Sequence, residues 1–150
     1  RNDKNLSKFI SKTSKDINEQ IEWIKRYKER EKLFNEFYIM CLSKNRKTKF
    51  GLNRIYNIRE TSFEIGSWLF KTDKSNNNSS ILSDLFCRSL MFENKNFIKC
   101  VFQVRKKNKS VLRYHKMFNP KLINEDILNK YFELSRRNFE IKKNNLLKII

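Results

Sequence analysis

The sequence predicts an α+β fold in which two long terminal amphipathic helices pack on a small antiparallel sheet. Apolar residues recur at helical spacing towards both ends of the chain, and residues 98–104 alternate in the way a strand does. A cationic turn at 105–110, RKKNKS, joins this strand to a second alternating run. We therefore expect the sheet to include a basic β-hairpin at about 97–118.

The first helix is expected to start at Thr13, which forms a capping-box-like pair with Asp16, and to run to Leu42. Its predicted buried face has helical spacing and comprises Ile17, Ile21, Ile24, Tyr27, Phe34, Tyr38 and Cys41. Residues 1–12 are polar and are predicted to form an extended N-terminal segment. Residues 13–150 then form a single α+β domain.

The middle of the chain predicts shorter elements. A short helix is expected at 52–58, followed by a strand at 63–70 with Gly66 as a bulge. Residues 71–80, KTDKSNNNSS, are a polar loop. The next helix is expected at 81–92, and its predicted buried stripe comprises Ile81, Leu82, Leu85, Phe86 and Leu90.

The last helix is expected to begin at Asn124 and to reach the C-terminus. Asn124 is a good helix cap, and Glu125 and Asp126 would lie in the first turn, where acidic side chains interact favourably with the helix dipole. Its predicted apolar face includes Tyr131, Phe132 and Phe139.

Charge is strongly uneven along the chain, whose formal net charge is +18. Residues 95–121 hold nine Lys and Arg without an acid, and residues 44–59 hold six without an acid. The chain has no Ala and only two Gly, a composition typical of an AT-rich genome, which inflates lysine everywhere. Because that inflation should scatter charge evenly, the two basic segments indicate a surface that binds a polyanion.

The predicted RNA-binding residues lie in these two segments: Lys44, Arg46, Lys47, Lys49, Arg54, Arg105, Lys106, Lys107, Lys109, Arg113 and Lys116. Cationic side chains of this kind neutralise phosphates, which supplies affinity without sequence preference. The other interpretation is that they form solvated loops in a lysine-rich protein.

No catalytic or metal-binding residue is predicted, and no cofactor is expected. The chain has one His and two Gly, and it lacks a phosphate-binding loop, a nucleophile elbow and a Cys/His zinc pattern. Asp84, Glu93 and Lys95 match only weakly the acid plus Glu-x-Lys pattern with which metal-dependent nucleases hold Mg²⁺. His115 is interpreted as a strand residue beside the basic surface. Cys41, Cys87 and Cys100 are predicted to be buried thiols.

These observations together favour a structural RNA-binding protein of a ribonucleoprotein particle, in particular a mitochondrial ribosomal protein. The expected partners are RNA, in particular rRNA, and neighbouring proteins of a large complex, with no small-molecule substrate and no transmembrane segment. The alternative is a non-catalytic helical subunit of a multiprotein assembly. The expected location is the mitochondrion, with the cytoplasm as the alternative.

Overall fold

The computed structural model describes residues 8–9, 14–43, 47–71 and 77–148. Helices and strands follow one another in the order α1 (Ile17–Lys32), β1 (Phe37–Leu42), β2 (Lys49–Tyr56), β3 (Ser62–Phe70), α2 (Asn77–Glu93), β4 (Lys99–Arg105), α3 (Lys109–Lys116), β5 (Lys121–Glu125), β6 (Asn129–Ser135) and α4 (Arg136–Leu147). In the described ranges, no helix is long and apolar enough to cross a membrane.

The strands form a six-stranded mixed sheet in the order β1-β2-β3-β4-β6-β5. Neighbouring strands are antiparallel except β3 and β4, which are parallel. A parallel pair requires a crossover connection, and α2 provides it. The β3-α2-β4 unit therefore lies at the centre of the molecule.

Helices α2, α3 and α4 cover one face of the sheet, which we call the core face. Phe92 of α2 packs edge-on against Phe63 of β3, with ring centroids 5.0 Å apart, and also contacts Phe139 of α4 at 5.4 Å. Phe102 of β4 lies 4.4 Å from the imidazole of His115 in α3. Helix α1 packs on the opposite face, where Tyr27 contacts Tyr38 of β1 at 5.2 Å.

The expected architecture of two terminal helices on a small antiparallel sheet is wrong. The first helix begins at Ile17 rather than Thr13, which lies outside the described residues; Asp16 is its cap and accepts a hydrogen bond from the Asn18 N–H. The helix ends at Lys32 rather than Leu42. Phe34 has a φ of 56°, and the chain then enters β1. Phe34 itself is 61% exposed, contrary to the prediction that it is buried. Residues 49–56, expected to be partly helical, form β2.

The basic β-hairpin at about 97–118 is half correct. Its first strand exists as β4, but its second strand is helix α3. Asn108 caps this helix by accepting a hydrogen bond from the Val111 N–H at 3.4 Å. The capped turn leads into a helix whose buried residues are Leu112, Tyr114 and His115, so His115 is a helical core residue rather than a strand residue.

The long final helix is wrong as well, because residues 121–135 form the β5-β6 hairpin. Asn124, expected to cap that helix, lies in β5. Asp126, expected in the first helical turn, has an Oδ1 atom that accepts hydrogen bonds from the Leu128 and Asn129 N–H groups, both at 2.7 Å. These bonds close the tight turn between the two strands. The final helix, α4, begins only at Arg136, with Ser135 as its cap.

Candidate active site

The parallel strands β3 and β4 separate partway along their length. Their ladder pairs Ser62 with Lys99, Phe63 with Cys100, and Glu64 with Val101, and it ends there. Beyond this point β3 continues to Phe70 beside β2, and β4 continues to Arg105 beside β6. The two strands therefore form the sides of a wedge in the centre of the sheet.

A β-bulge in β3 lies within this wedge. Leu52 of β2 pairs with Leu69, and Arg54 pairs with Gly66, so two residues, Ser67 and Trp68, face one on β2. Ser67 has a φ of 51°, which is costly for a residue with a side chain, about 1–3 kcal/mol. The extra residue turns Trp68 towards the core face, where its indole N–H donates to the Ser80 carbonyl at 3.1 Å.

A cleft of about 320 Å³ lies on the core face beside the open half of β3. It is lined by the open half of β3, the first turns of α2 and helix α3, through Trp68, Phe70, Ser80, Ile81, Ser110, Val111 and Tyr114. The walls are aromatic and aliphatic with a few polar atoms, which is typical of a small-molecule site. A second groove of about 190 Å³ near Met40 and Leu52 has a more uniformly apolar lining, so we take the first as the candidate site.

A buried ionic network supports the wall of the cleft. The Tyr114 hydroxyl donates to Asp84 Oδ2 at 2.9 Å, and Arg88 Nε donates to the same oxygen at 2.9 Å. Arg88 Nη1 donates to Cys100 Sγ at 3.0 Å, and its guanidinium lies 4.8 Å from the Phe102 ring centroid. Asp84 and Arg88 are 1% and 0% exposed, so the pair is removed from water.

Burial and the charges of Asp84 and Arg88 set the protonation states of the residues in this network. Burial by itself would raise the pKa of Asp84, but the Arg88 charge and the hydrogen bonds from Arg88 and Tyr114 lower it overall. Burial and the Asp84 charge raise the pKa of Tyr114, so its phenol stays neutral. Burial, with the nearby Arg88 charge, lowers the pKa of His115 to about 3, so its imidazole is neutral.

Glu64 lies at the opening of the wedge, on the face opposite the cleft. Its cross-strand neighbour Tyr56 hydrogen-bonds to it, and burial together with the Glu64 charge raises the pKa of Tyr56 to about 12. The next carboxylate across the sheet, Glu133, already pairs with Lys99 at 2.9 Å. Among the described residues, Glu64 is thus the carboxylate best placed to receive a proton at the wedge.

The predicted RNA-binding residues are carried by several elements. Arg105, Lys106, Lys107, Lys109, Arg113 and Lys116 cluster at the end of β4 and along α3, and Lys106 lies 3.5 Å from Glu125. Arg54 is on β2, where it pairs with the buried Glu36 at 2.6 Å and stacks on Tyr56. Lys49 begins β2, Lys47 precedes it, and Lys44 and Arg46 lie outside the described residues. Their assignment to RNA phosphates stays a prediction.

The other candidate residues are placed differently from the expectation. Asp84 is buried against Arg88, whereas Glu93 and Lys95 are exposed, so they share no site. Cys87 and Cys100 are buried free thiols, as predicted, and Cys41 is half-buried. The described part of the chain contains no cluster of His, Cys, Asp and Glu that could hold a metal ion.

Solved structures that match this architecture include N-acetyltransferases. The apo form of FdhC, a nucleotide-linked sugar GNAT, superposes with a TM-score of 0.78 and 28% identity, covering 92% of this chain and 78% of its own. The chain has the GNAT (GCN5-related N-acetyltransferase) fold. No protein-family model and no curated protein sequence matches it.

Two further structures with the GNAT fold contain CoA or acetyl coenzyme A. Spermidine N-acetyltransferase from Vibrio cholerae, in complex with CoA and spermine, gives a TM-score of 0.74 at 12% identity, covering 93% of this chain and 87% of that chain. Campylobacter jejuni PseH, an N-acetyltransferase in complex with acetyl coenzyme A, gives 0.57 at 19% identity, covering 78% and 82%.

The GNAT fold corrects the function expected from the sequence. The expectations of a structural ribosomal RNA-binding protein and of a non-enzyme are wrong, because structural neighbours across the whole fold are N-acetyltransferases, which indicates an enzyme. The expected absence of a small-molecule substrate is wrong for the same reason, since neighbours bind CoA, acetyl-CoA or spermine. Sequence reasoning missed Glu64 and Trp68 as candidate site residues, because their positions depend on where β3 separates from β4 and on the bulge in β3.

Proposed function

We propose that this chain transfers an acetyl group from acetyl-CoA to an amine. The observation that carries the proposal is the end of the β3–β4 ladder at Glu64 and Val101, with an aromatic cleft beside the open half of β3. Two neighbours with the same fold were solved with CoA or acetyl-CoA, which supports this ligand for the cleft.

The cleft offers binding groups suited to an acyl-CoA. The strand edges beyond Glu64 and Val101 can hydrogen-bond an extended chain that contains amides, as a sheet edge binds a peptide. Trp68 and Phe70 provide apolar walls. The first turns of α2 border the cleft at Ser80 and Ile81, and N–H groups at a helix start favour anions such as a diphosphate.

The reaction needs few groups from the protein. The amine nitrogen attacks the thioester carbonyl carbon, a C–N bond forms, and the C–S bond breaks as the CoA thiolate leaves. The amine must lose a proton, and Glu64 at the opening of the wedge can accept it. The Tyr114 hydroxyl is turned inward to Asp84, so in this arrangement Tyr114 shapes the cleft wall rather than donating a proton to the ligand.

The proposal is tested by titrating acetyl-CoA into the protein by calorimetry, with Val111→Trp to fill the cleft and Leu122→Trp on β5, the far edge strand, as the matched control. We expect binding by the parent and the control, and loss of at least tenfold in affinity in Val111→Trp. Release of free CoA thiol in the presence of a panel of amines then reports transfer. A parent that does not bind acetyl-CoA, or a Val111→Trp variant that binds it as the parent does, would contradict the proposal.

A further inference from the structure

Helix α2 presents an apolar row to solvent. Leu82, Phe86 and Leu90 are 43%, 57% and 40% exposed, and they are spaced four residues apart, so they lie in one line along the helix. The exposed residues that continue the row are Asn78 at one end and Glu93 at the other. A row of three large apolar side chains on a solvent-facing helix marks an interaction surface more often than chance exposure does.

The same helix carries an ion pair on the inside. Asp84 and Arg88 are buried against each other, while the outward row has no cation. The other helices differ: α1 exposes Lys25, Arg26 and Lys28, and α4 exposes Lys142. The chain has a net charge of +18, but the outward row of α2 carries no cation. Two copies can therefore meet at this row without bringing positively charged side chains together.

We propose that this face pairs two copies of the chain, α2 against α2, around a two-fold axis at Phe86. The row is symmetric about Phe86, so an antiparallel arrangement places Leu82 of each copy against Leu90 of the other, with the two Phe86 rings at the centre. Such a pairing uses ridges formed by residues four apart, the commonest way in which helices pack. In a two-fold interface the same patch of each copy contacts itself, and a row that is symmetric about Phe86 fits that arrangement.

Charge decides in favour of a second copy over other occupants. An acidic protein or an anionic membrane would be bound through lysines and arginines beside the apolar groups, and the row offers none. A second copy carries the same excess of positive charge, so it can approach only through a face that lacks cations. The patch is smaller than the roughly 800 Å² per partner of a stable interface, so we expect a concentration-dependent dimer.

The test is sedimentation velocity of the full chain from about 1 to 200 µM, with Phe86→Ser and two matched controls. Ile21→Ser removes an apolar residue of the exposed α1 face, and Ile127→Ser removes one in the β5-β6 turn, where it is 92% exposed. We expect a dimer for the parent and both controls, and a dissociation constant raised at least tenfold in Phe86→Ser. Far-UV circular dichroism confirms that each variant is folded.

Three results would overturn the inference. The parent could remain monomeric throughout this range, Phe86→Ser could dimerise as the parent does, or Ile21→Ser could abolish the dimer, which would place the interface on α1. A separate experiment detects binding to a membrane. If the face binds a membrane instead, the parent stays monomeric and sediments with phosphatidylglycerol vesicles, and Phe86→Ser does not. None of these measurements depends on acetyl-CoA, so failure here is distinct from failure of the proposed function.

Discussion

Replacing Arg88 with Met should destabilise the protein by several kcal/mol. The guanidinium is fully buried, and among the described residues it supplies the cationic partner within hydrogen-bonding distance of the Asp84 carboxylate. Removing one member of a buried ion pair costs about 3–5 kcal/mol, because the other charge stays in a poorly solvated site. The Tyr114 hydroxyl still donates to Asp84, but a neutral donor does not balance the charge.

A double-mutant cycle with Asp84→Asn separates this effect from lost packing. Asn keeps an acceptor for the Tyr114 hydroxyl and removes the charge that Arg88 balances. The double variant Asp84→Asn/Arg88→Met should therefore cost at least about 2 kcal/mol less than the sum of the single changes, a coupling typical of residues in one network. Unfolding in urea, followed by circular dichroism, measures all four free energies.

The reasoning would be refuted by either of two results. Arg88→Met could lower the free energy of unfolding by less than about 1 kcal/mol, within the range of ordinary substitutions. Alternatively, the cycle could be additive within about 0.5 kcal/mol, the usual agreement for independent sites. Either would mean that water reaches the pair or that the two side chains do not form it. A chain with a typical stability of about 5–15 kcal/mol should tolerate the double change and remain folded for the measurement.

Three further outcomes follow from the site. Since the folded-state pKa of His115 is about 3 and the unfolded value is 6.5, acid protonates the unfolded chain first, and stability is lost as the pH falls below about 6.5. Between pH 7 and pH 5 the free energy of unfolding should fall by about 2 kcal/mol from this cause. Urea unfolding at both pH values measures the fall, and His115→Gln should abolish it. A Cβ atom at Gly51 would overlap the Phe70 ring, so Gly51→Ala should cost about 1–3 kcal/mol and weaken acetyl-CoA binding, measured by unfolding and calorimetry. Glu64→Gln should slow amine acetylation about 10²–10⁴-fold while calorimetry shows unchanged acetyl-CoA affinity; unchanged turnover would exclude Glu64 as the base.

Local signals located α1 and β4 approximately, but neither their bounds nor what followed them. The Asp16 cap and the alternation of β4 have local causes, hydrogen bonding to the next turn and a period of two, and both are visible in the sequence. The same kind of signal failed at 124–126, because polar side chains that suit the start of a helix can equally close a two-strand turn, as Asp126 does. The choice between the two depends on β6 pairing with β4, which is a long-range contact.

Helix α2 shows why the candidate site could not be predicted from periodicity. Its sequence carries two rows at a spacing of four, Leu82 with Phe86 and Asp84 with Arg88, and burial normally follows the apolar row. Here the ionic row is buried and the apolar row is exposed. The ion pair lies inside because Tyr114 and Cys100 approach from α3 and β4, and no local pattern encodes that approach. The cleft beside it was missed for the same reason.

The strong positive charge, which suggested RNA, is compatible with a much smaller anion. A net charge of +18 attracts any anionic ligand and increases its association rate, without specifying its size. Acetyl-CoA carries several phosphate charges, so its association rate should fall as NaCl is raised from about 50 to 500 mM, when the screening length shrinks from about 14 to 4 Å. The α2 dimer should respond in the opposite direction, because screening reduces repulsion between two basic chains. Stopped-flow binding and sedimentation over one salt series measure both. Parallel weakening of the two would mean that the dimer is held by opposite charges, contrary to the apolar pairing at Phe86.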